Sequence, residues 1–218
     1  MAFVVHDLKN PVSSMDLHAQ VLLRDVALPP RLRDSATQIR SEARHLNRMI
    51  MNLLDLSKAD EGKLSPKRSD VDLRSLVADI LAELEVNAKR RNVGLRSSLE
   101  TNRIHADQDL FRRTLTNLVE NAIRFAPPET MITVTAMRRP SETEVRVADR
   151  GSGIPEEMRE KVFEAFAQAE AKDPTAQIGG RGLGLTFCKV AVEAQGGRIW
   201  IEDGAPGAIF CMRLPNDV

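Results

Sequence analysis

Two apolar seams laid end to end constrain this chain more than any other feature of its sequence. From Val5 the apolar residues fall at Leu8, Val12, Met15, Ala19, Leu22 and Val26, an alternation of three and four that a helix gathers into one stripe. Leu28, Pro29 and Pro30 then stop the first helix, because proline lacks an amide donor and disfavours helix in the residue before it. Leu32, Ala36, Ile39, Ala43, Leu46, Ile50, Leu53 and Ser57 repeat the spacing, with Met49, Leu54 and Leu56 widening the stripe. Two such helices joined by a short turn make a helical hairpin, which on its own leaves much of each stripe in water. The pattern therefore predicts a homodimer in which two hairpins pair as a four-helix bundle; the alternative is that the stripe packs on the rest of its own chain. The seam is already running at Val5, as expected of a fragment of a longer chain.

Residues 61–69 lose the periodicity and carry Gly62 and Pro66, so they read as a linker, with a domain boundary near residue 66 separating 1–66 from 67–218. Beyond it Leu73, Val77, Ile80, Leu81 and Leu84 share one helix face, and short strands are expected at 93–99 and 104–106. Asp107 can cap a helix carrying Leu110, Leu115, Leu118, Val119 and Ile123, which ends before Pro127. Strand signals return at 131–137, 143–148, 198–202 and 208–214, with a further amphipathic helix at 186–194. Helices mixed with strands of antiparallel character suggest an α/β sandwich with helices on one face of a sheet, an α+β chain overall.

Four constellations carry chemistry. Asn10 follows His6 by one helical turn, and both lie off the apolar seam, so His6 is open to solvent. A neutral imidazole can act as a nucleophile while the adjacent Asp7 holds or accepts the proton of its other nitrogen; an exposed helical histidine is, however, ordinarily just a solvated residue. Asn117, Asn121 and Arg124 fall on one helix face at spacings of four and three. Two amide oxygens and a guanidinium suit a magnesium-bound triphosphate, whereas the bland reading is two surface asparagines. Asp149, Gly151 and Gly153 follow a strand, where a carboxylate can accept a hydrogen bond from an exocyclic amine and glycines let the backbone approach a flat ring; alone they could be a turn. Gly180, Arg181, Gly182, Leu183, Gly184 and Leu185 lead into a helix whose N-terminal amides can cradle phosphates. No Lys-Ser/Thr pair follows, which excludes a Walker P-loop. The polar, alanine-rich stretch 156–178 between the last two reads as a lid over a nucleotide.

These segments, in this order and over nearly the whole chain, resemble the sensor histidine kinases of two-component signalling. His6 to Pro11 is similar to their H-box, Asn117 to Asn121 to the N-box, Asp149, Gly151 and Gly153 to the first glycine box, Phe163 and Phe166 to the F-box, and Gly180, Gly182 and Gly184 to the second glycine box. The resemblance implies a dimeric four-helix phosphotransfer bundle followed by a Bergerat-type ATP-binding α/β sandwich. It further implies ATP and magnesium as cofactors, His6 as phosphoacceptor, Asp7 as its general base and Asn10 as the residue that orients water during dephosphorylation of the partner. Asn121 would hold magnesium and Asp149 the adenine amine, within a nucleotide site made of Asn117, Asn121, Arg124, Phe125, Asp149, Gly151, Gly153, Ile154, Arg181, Gly182, Leu183, Gly184 and Leu185. Related ATPases that hydrolyse ATP place a water-activating glutamate where this chain has Asn117, and a phosphate donor has no use for that hydrolysis. Many relatives carry an arginine where this chain has Gln168, and Arg181 is the expected substitute for that cation; Phe125 stands where tyrosine is common.

The reading expected from the resemblance is ATP-dependent autophosphorylation of His6, then transfer to an aspartate on the receiver domain of a response regulator, with dephosphorylation of that partner through Asn10. The ATP domain must swing about the linker near Gly62 to reach His6, and a receiver would dock near His6 and along Arg40, Arg44 and Arg48. A degenerate kinase serving as scaffold, and an ATP-driven clamp of the same sandwich family, are the alternatives; the intact boxes and Asn117 disfavour them. Composition adds exclusions: 31 basic against 31 acidic side chains write no attraction for nucleic acid or an anionic membrane into the chain. No run reaches the roughly 18 apolar residues of a membrane helix, so a cytoplasmic location without membrane contact is expected of this fragment. Cys188 and Cys211 have no metal-ligand spacing.

Overall fold

The computed structural model describes the backbone of residues 2–164 and 183–216, and side chains from residue 8 onward. The chain divides into two compact units, Met1–Lys63 and Leu64–Val218.

The first unit is a hairpin of α1 (Ala2–Arg24) and α2 (Pro30–Asp60), and α1 runs unbroken through Pro11. The first helix ends at Arg24, four residues before the point the prolines suggested, because local side chains take over its last carbonyls. Arg33 donates to the carbonyls of Leu23 (3.2 Å) and Asp25 (2.7 Å), and the Asp25 carboxylate accepts from the Ala27 amide. Pro30 instead opens α2, where its missing donor costs nothing. The continuous seam splits into two grades on folding. Ala19, Ala36 and Ala43 are buried at 2–3% exposure, so small side chains bring the two helices together. Leu8, Met15 and Leu22 on α1, and Leu32, Ile39, Leu46 and Leu53 on α2, repeat at sevens and remain 42–56% exposed. Asp16 ties the helices across the seam, 3.3 Å from both Arg40 and Arg44.

The second unit runs β1 (Ser69–Asp72), α3 (Leu73–Arg90), β2 (Gly94–Leu99), β3 (Arg103–Ala106), α4 (Gln108–Phe125), β4 (Met131–Arg138), β5 (Glu142–Ala148), two short 3-10 turns, α5 (Leu183–Glu193), β6 (Arg198–Asp203) and β7 (Ala208–Pro215). The five-stranded sheet has the order β2-β4-β5-β7-β6, and β1 pairs with β3 separately. β2 and β4 are parallel, a correction to the antiparallel expectation; the remaining pairs are antiparallel. A parallel pair requires a crossover, here through β3 and α4, and that geometry is not visible in strand periodicity alone. β1 also went unforeseen, because four residues reading Ser-Asp-Val-Asp carry one apolar side chain. Leu183, Gly184 and Leu185, ahead of the expected helix at 186–194, are already helical in α5 among the described residues.

Capping sets both helix starts that matter. Asp72 accepts from the Ser75 amide at the head of α3; Asp107 accepts from the amides of Asp109 and Leu110 at the head of α4 and from Lys67 with its other oxygen. One sheet face, with Ile132, Val134, Val145, Val147, Phe210, Met212 and Leu214, packs with Ile80, Leu84, Leu115, Leu118, Val119, Cys188 and Val192 of the helices into one core. The opposite face is polar, and its register sets Glu144 across from Arg213 and Arg146 across from Cys211. Glu144, only 3% exposed, accepts from Arg139 (3.2 Å), Arg146 (2.8 Å) and Arg213 (2.5 Å), while Arg146 also reaches Glu202. The guanidiniums of Arg198 and Arg213 lie over the Trp200 ring, 5.0 and 4.9 Å from its centroid.

Burial alone would raise the Glu144 carboxyl, but the hydrogen bonds from Arg139, Arg213 and Arg146 outweigh it and hold the pKa at about 2, below the ordinary 4.5. The stabilisation is complete above pH 4.5 and fades as pH falls towards 2. Glu144→Gln should lower the melting temperature of the second unit at pH 7, by the equivalent of about 2–3 kcal/mol. The gap to the unsubstituted protein should narrow as thermal unfolding is followed below pH 4.5; a gap independent of pH would contradict this assignment.

Candidate functional site

Helix α4 owes its orientation to its apolar stripe: Phe111, Leu115, Leu118, Val119, Ala122 and Ile123 are buried in the main core, which turns Asn117, Asn121 and Arg124 to the half-buried opposite side, where Leu110 packs separately with Phe187 and Ala191 of α5. The spacing read from the sequence thus becomes one polar strip. Asn117 Nδ2 lies 3.5 Å from the Gly184 carbonyl, so the asparagine strip of α4 meets α5. Phe125, at the end of the strip, is 44% exposed, and the Arg124 guanidinium sits 5.3 Å from its ring centroid.

Asp149 follows β5 directly and is 7% exposed. Its Oδ1 accepts from the amides of Gly151 (2.7 Å) and Ala208 (3.3 Å), and its own amide donates to the Ala208 carbonyl (3.0 Å). Burial pushes the carboxyl's pKa above its ordinary value, and the two backbone donors partly offset that rise. Both bonds fall on Oδ1; among the described residues none is formed by Oδ2, which could accept from a ligand. The glycines here act through space. A Cβ on Gly151 would stand 2.8 Å from the Phe125 carbonyl oxygen, and one on Gly207 would stand 2.1 Å from the Asp149 carbonyl oxygen. Backbone therefore closes on Asp149 from two sides, and side chains are excluded. Gly153 takes φ +72°, a left-handed conformation that glycine adopts without strain.

A cavity of about 360 Å³ opens beside these residues, lined among others by Gly151, Gly153, Ile154, Arg159, Asp203 and Gly207. Sequence reasoning missed Gly207, Ala208 and Arg159. Two glycines and a proline between 203 and 208 signal a tight turn, which could have marked the β6–β7 hairpin as a wall. Arg159, which donates to the Ile154 carbonyl at 3.1 Å and holds that residue in place, carried no comparable signal.

The structure brings Asn117, Asn121, Arg124, Phe125, Asp149, Gly151, Gly153, Ile154, Leu183, Gly184 and Leu185 into one unit, with α4 meeting Gly184 on one side and Gly151 on the other. Of the stretch read as a lid, the 3-10 turns Glu156–Met158 and Lys161–Phe163 are anchored by buried Val162 and Phe163. Its remainder, with Phe166 and Gln168, lies outside the described residues, as do Gly180, Arg181 and Gly182 of the glycine-rich loop that follows. His6 and Asp7 are on the backbone of α1, with side chains outside those described, and Asn10 on the next turn is exposed. Among the described residues no helix is long and apolar enough to cross a membrane.

Comparison with known proteins bears on both units. Residues 106–218 match the model of the histidine kinase-, DNA gyrase B- and HSP90-like ATPases, and residues 1–62 that of the His Kinase A phospho-acceptor domain. The sensor-like histidine kinase SenX3 of Mycobacterium tuberculosis is 34% identical over 218 residues, covering 99% of this chain and 53% of SenX3. The sensor histidine kinase AruS of Pseudomonas aeruginosa is 35% identical over 210 residues, covering 93% of this chain and 21% of AruS. The chain thus spans about half the length of SenX3 and less of AruS. Among solved structures, the catalytic domain of histidine kinase ThkA superposes with TM-score 0.61 at 27% identity, covering 69% of this chain and 98% of that one. Full-length ShkA in complex with AMPPNP shares the fold of the whole chain, with TM-score 0.72 at 22% identity, covering 100% of this chain and 46% of that one. On the match over its second half, with the phospho-acceptor model at its start, the chain belongs to the histidine kinase-, DNA gyrase B- and HSP90-like ATPase family, among its sensor histidine kinases.

Proposed function

We propose that the chain is the catalytic core of a protein histidine kinase that phosphorylates its own His6 from ATP and passes the phosphoryl group to an aspartate on the receiver domain of a response regulator. The observation that carries this reading is Asp149: a buried carboxylate with one oxygen committed to backbone amides, followed by Gly151 and Gly153, which line a cavity of about 360 Å³. That is the arrangement an adenine amine requires. Residues 1–66 would serve as the dimerisation and phosphotransfer hairpin and 67–218 as the ATP-binding domain.

Asp149 Oδ2 would accept from the adenine amine while Gly151 and Gly153 let the ring lie against backbone and Ile154 packs beside it. Arg124 would balance phosphate charge and Phe125 would pack at the same end. The amides of Gly182, Leu183, Gly184 and Leu185 would bind the phosphates, with Arg181 as the additional cation. The donor set of α4 fits magnesium: carboxamide oxygens are hard ligands, and Asn117 and Asn121 share the half-buried strip. Asn121 would be the direct ligand. When bound, the ion neutralises the phosphate oxygens and supplies the charge compensation on which phosphoryl transfer depends. At the hairpin, a ring nitrogen of His6 would use its lone pair to bond the terminal phosphorus as the bond to the bridging oxygen breaks and ADP leaves, with Asp7 taking the proton of the other ring nitrogen. Asn10, exposed one turn away, would orient water when the phosphorylated partner is hydrolysed. The response regulator ThkA binds in its solved complex, TrrA, illustrates the partner class. The location we propose is the cytoplasmic part of a sensor.

The exposed Leu8, Met15, Leu22, Leu32, Ile39, Leu46 and Leu53 support a second copy as the occupant of that stripe, since they repeat at the heptad spacing by which hairpins pair. Light scattering should give a dimer for the chain and a monomer for a variant carrying Ile39→Glu and Leu46→Glu; a monomeric unsubstituted chain removes the bundle.

Incubation with γ-labelled ATP and magnesium tests the chemistry. Label should appear on the protein, be lost in acid, survive base, and be absent from His6→Ala and Asn121→Ala. Asp149→Asn should weaken ATP binding at least tenfold, because an amide presents either a donor or an acceptor where the carboxylate only accepts. Steady ATP hydrolysis without labelled protein would point instead to an ATP-driven clamp.

A further inference from the structure

Arg159 takes no part in the chemistry assigned above, although it links two segments that line the cavity. Its backbone closes the 3-10 turn Glu156–Met158, where its amide donates to the Glu156 carbonyl (3.2 Å), and Val162 and Phe163 just beyond are buried. From that anchored base the side chain folds back over its own loop, and Nε donates to the Ile154 carbonyl at 3.1 Å. Its Nη2 faces Oδ2 of Asp203, 4.0 Å away, and Ile154, Arg159 and Asp203 all line the cavity. Asp203 is itself tied into the turn between β6 and β7, because its Oδ1 accepts from the Ala205 amide (3.1 Å). The loop and the turn also approach backbone to backbone: a Cβ on Gly153 would stand 3.1 Å from the Gly207 carbonyl oxygen. Directly after Gly207 comes Ala208, whose amide donates to Asp149 Oδ1. One arginine thus joins the loop that carries Ile154 to the hairpin that pins the Asp149 carboxylate, a task suited to the planar fork of a guanidinium. The two contacts differ in kind. Ile154 offers a neutral carbonyl, which salt does not screen, whereas the Asp203 side chain is 70% exposed and its ion pair is the weaker hold.

We infer that Arg159 is a positioning residue for the base end of the nucleotide site: it holds Ile154 at the spacing from the β6–β7 hairpin at which a purine ring packs beside Ile154 while its amine reaches Asp149. The inference rests on the nucleotide reading of the Asp149 site. A role at the base is blind to the number of phosphates, whereas a cation acting on phosphates favours the triphosphate.

Titration of the whole chain with ATP, ADP and AMP, with magnesium present and below the onset of melting of every variant, separates the two. Arg159→Ala should weaken all three nucleotides by the same factor, about fivefold, and the loss should be the same at low and high salt. Asp203→Asn keeps an acceptor for the Ala205 amide and removes the charge. Alone it should weaken binding about twofold; added to Arg159→Ala it should cost nothing more, because the contact it breaks is already gone. A loss that grows from AMP to ATP would make Arg159 a phosphate cation and overturn the inference. Unchanged affinities in Arg159→Ala, with or without a lowered melting temperature, would do the same, and so would losses that multiply in the double variant. If the unsubstituted chain bound none of the three, the nucleotide reading itself would fall; binding by that chain with an indifferent Arg159→Ala variant would remove this inference alone.

Discussion

The burial of one face of α4 is the constraint on which the rest of the second unit depends. Leu115, Leu118 and Val119 have no exposed surface, so the helix cannot rotate without drawing Asn117, Asn121 and Arg124 into the core. Everything the candidate site does follows from that fixed rotation. The strip meets Gly184 of α5 and, through the Phe125 carbonyl, Gly151 at the foot of β5. A single amphipathic helix thereby sets the distance between the end of the site that would hold a base and the end that would hold phosphates. Asp149 completes the frame by an independent route, with its carboxylate pinned by backbone donors from two different strand connections.

What could be read in advance was whatever the chain states locally. Seams at three and four residues specify the hairpin helices, Asp107 states its own cap, and Asn117, Asn121 and Arg124 declare a shared face by spacing. Relations between distant segments were illegible for a physical reason: they depend on which backbone lies against which. Nothing near Asp149 in sequence announces that Ala208 will donate to it or that Gly207 must lack a side chain. The parallel pairing of β2 with β4 and the bond from Arg91 to the Arg124 carbonyl at the end of α4 are of the same kind. The seam of the hairpin was legible as a repeat, but its division into buried alanines and exposed leucines was not, because period alone does not say which residues of a wide stripe meet the partner helix.

The two sheet faces divide the labour. The helix-covered face holds the core by apolar contact, while the open face balances its own charge: Glu144 is matched to three arginines, Glu202 to a second contact of Arg146, and two guanidiniums lie over the Trp200 ring. With its acids and bases satisfied among themselves, that face needs no cover from another layer, in keeping with an antiparallel surface that faces water on one side.

The parallel pairing of β2 and β4 has a kinetic consequence. Since α4 belongs to the segment that carries the chain from one strand to the other, it is itself the crossover of that pair. Local winding of α4, which takes about a microsecond or less, places none of its polar residues opposite a partner. The strip finds Gly184 and Gly151 only when segments far apart in sequence have closed on one another, and such loop closure must be met before any contact rewards it. Competence of the site is thus tied to completion of the long-range topology rather than to helix content, and a chain that is already fully helical still lacks the pocket.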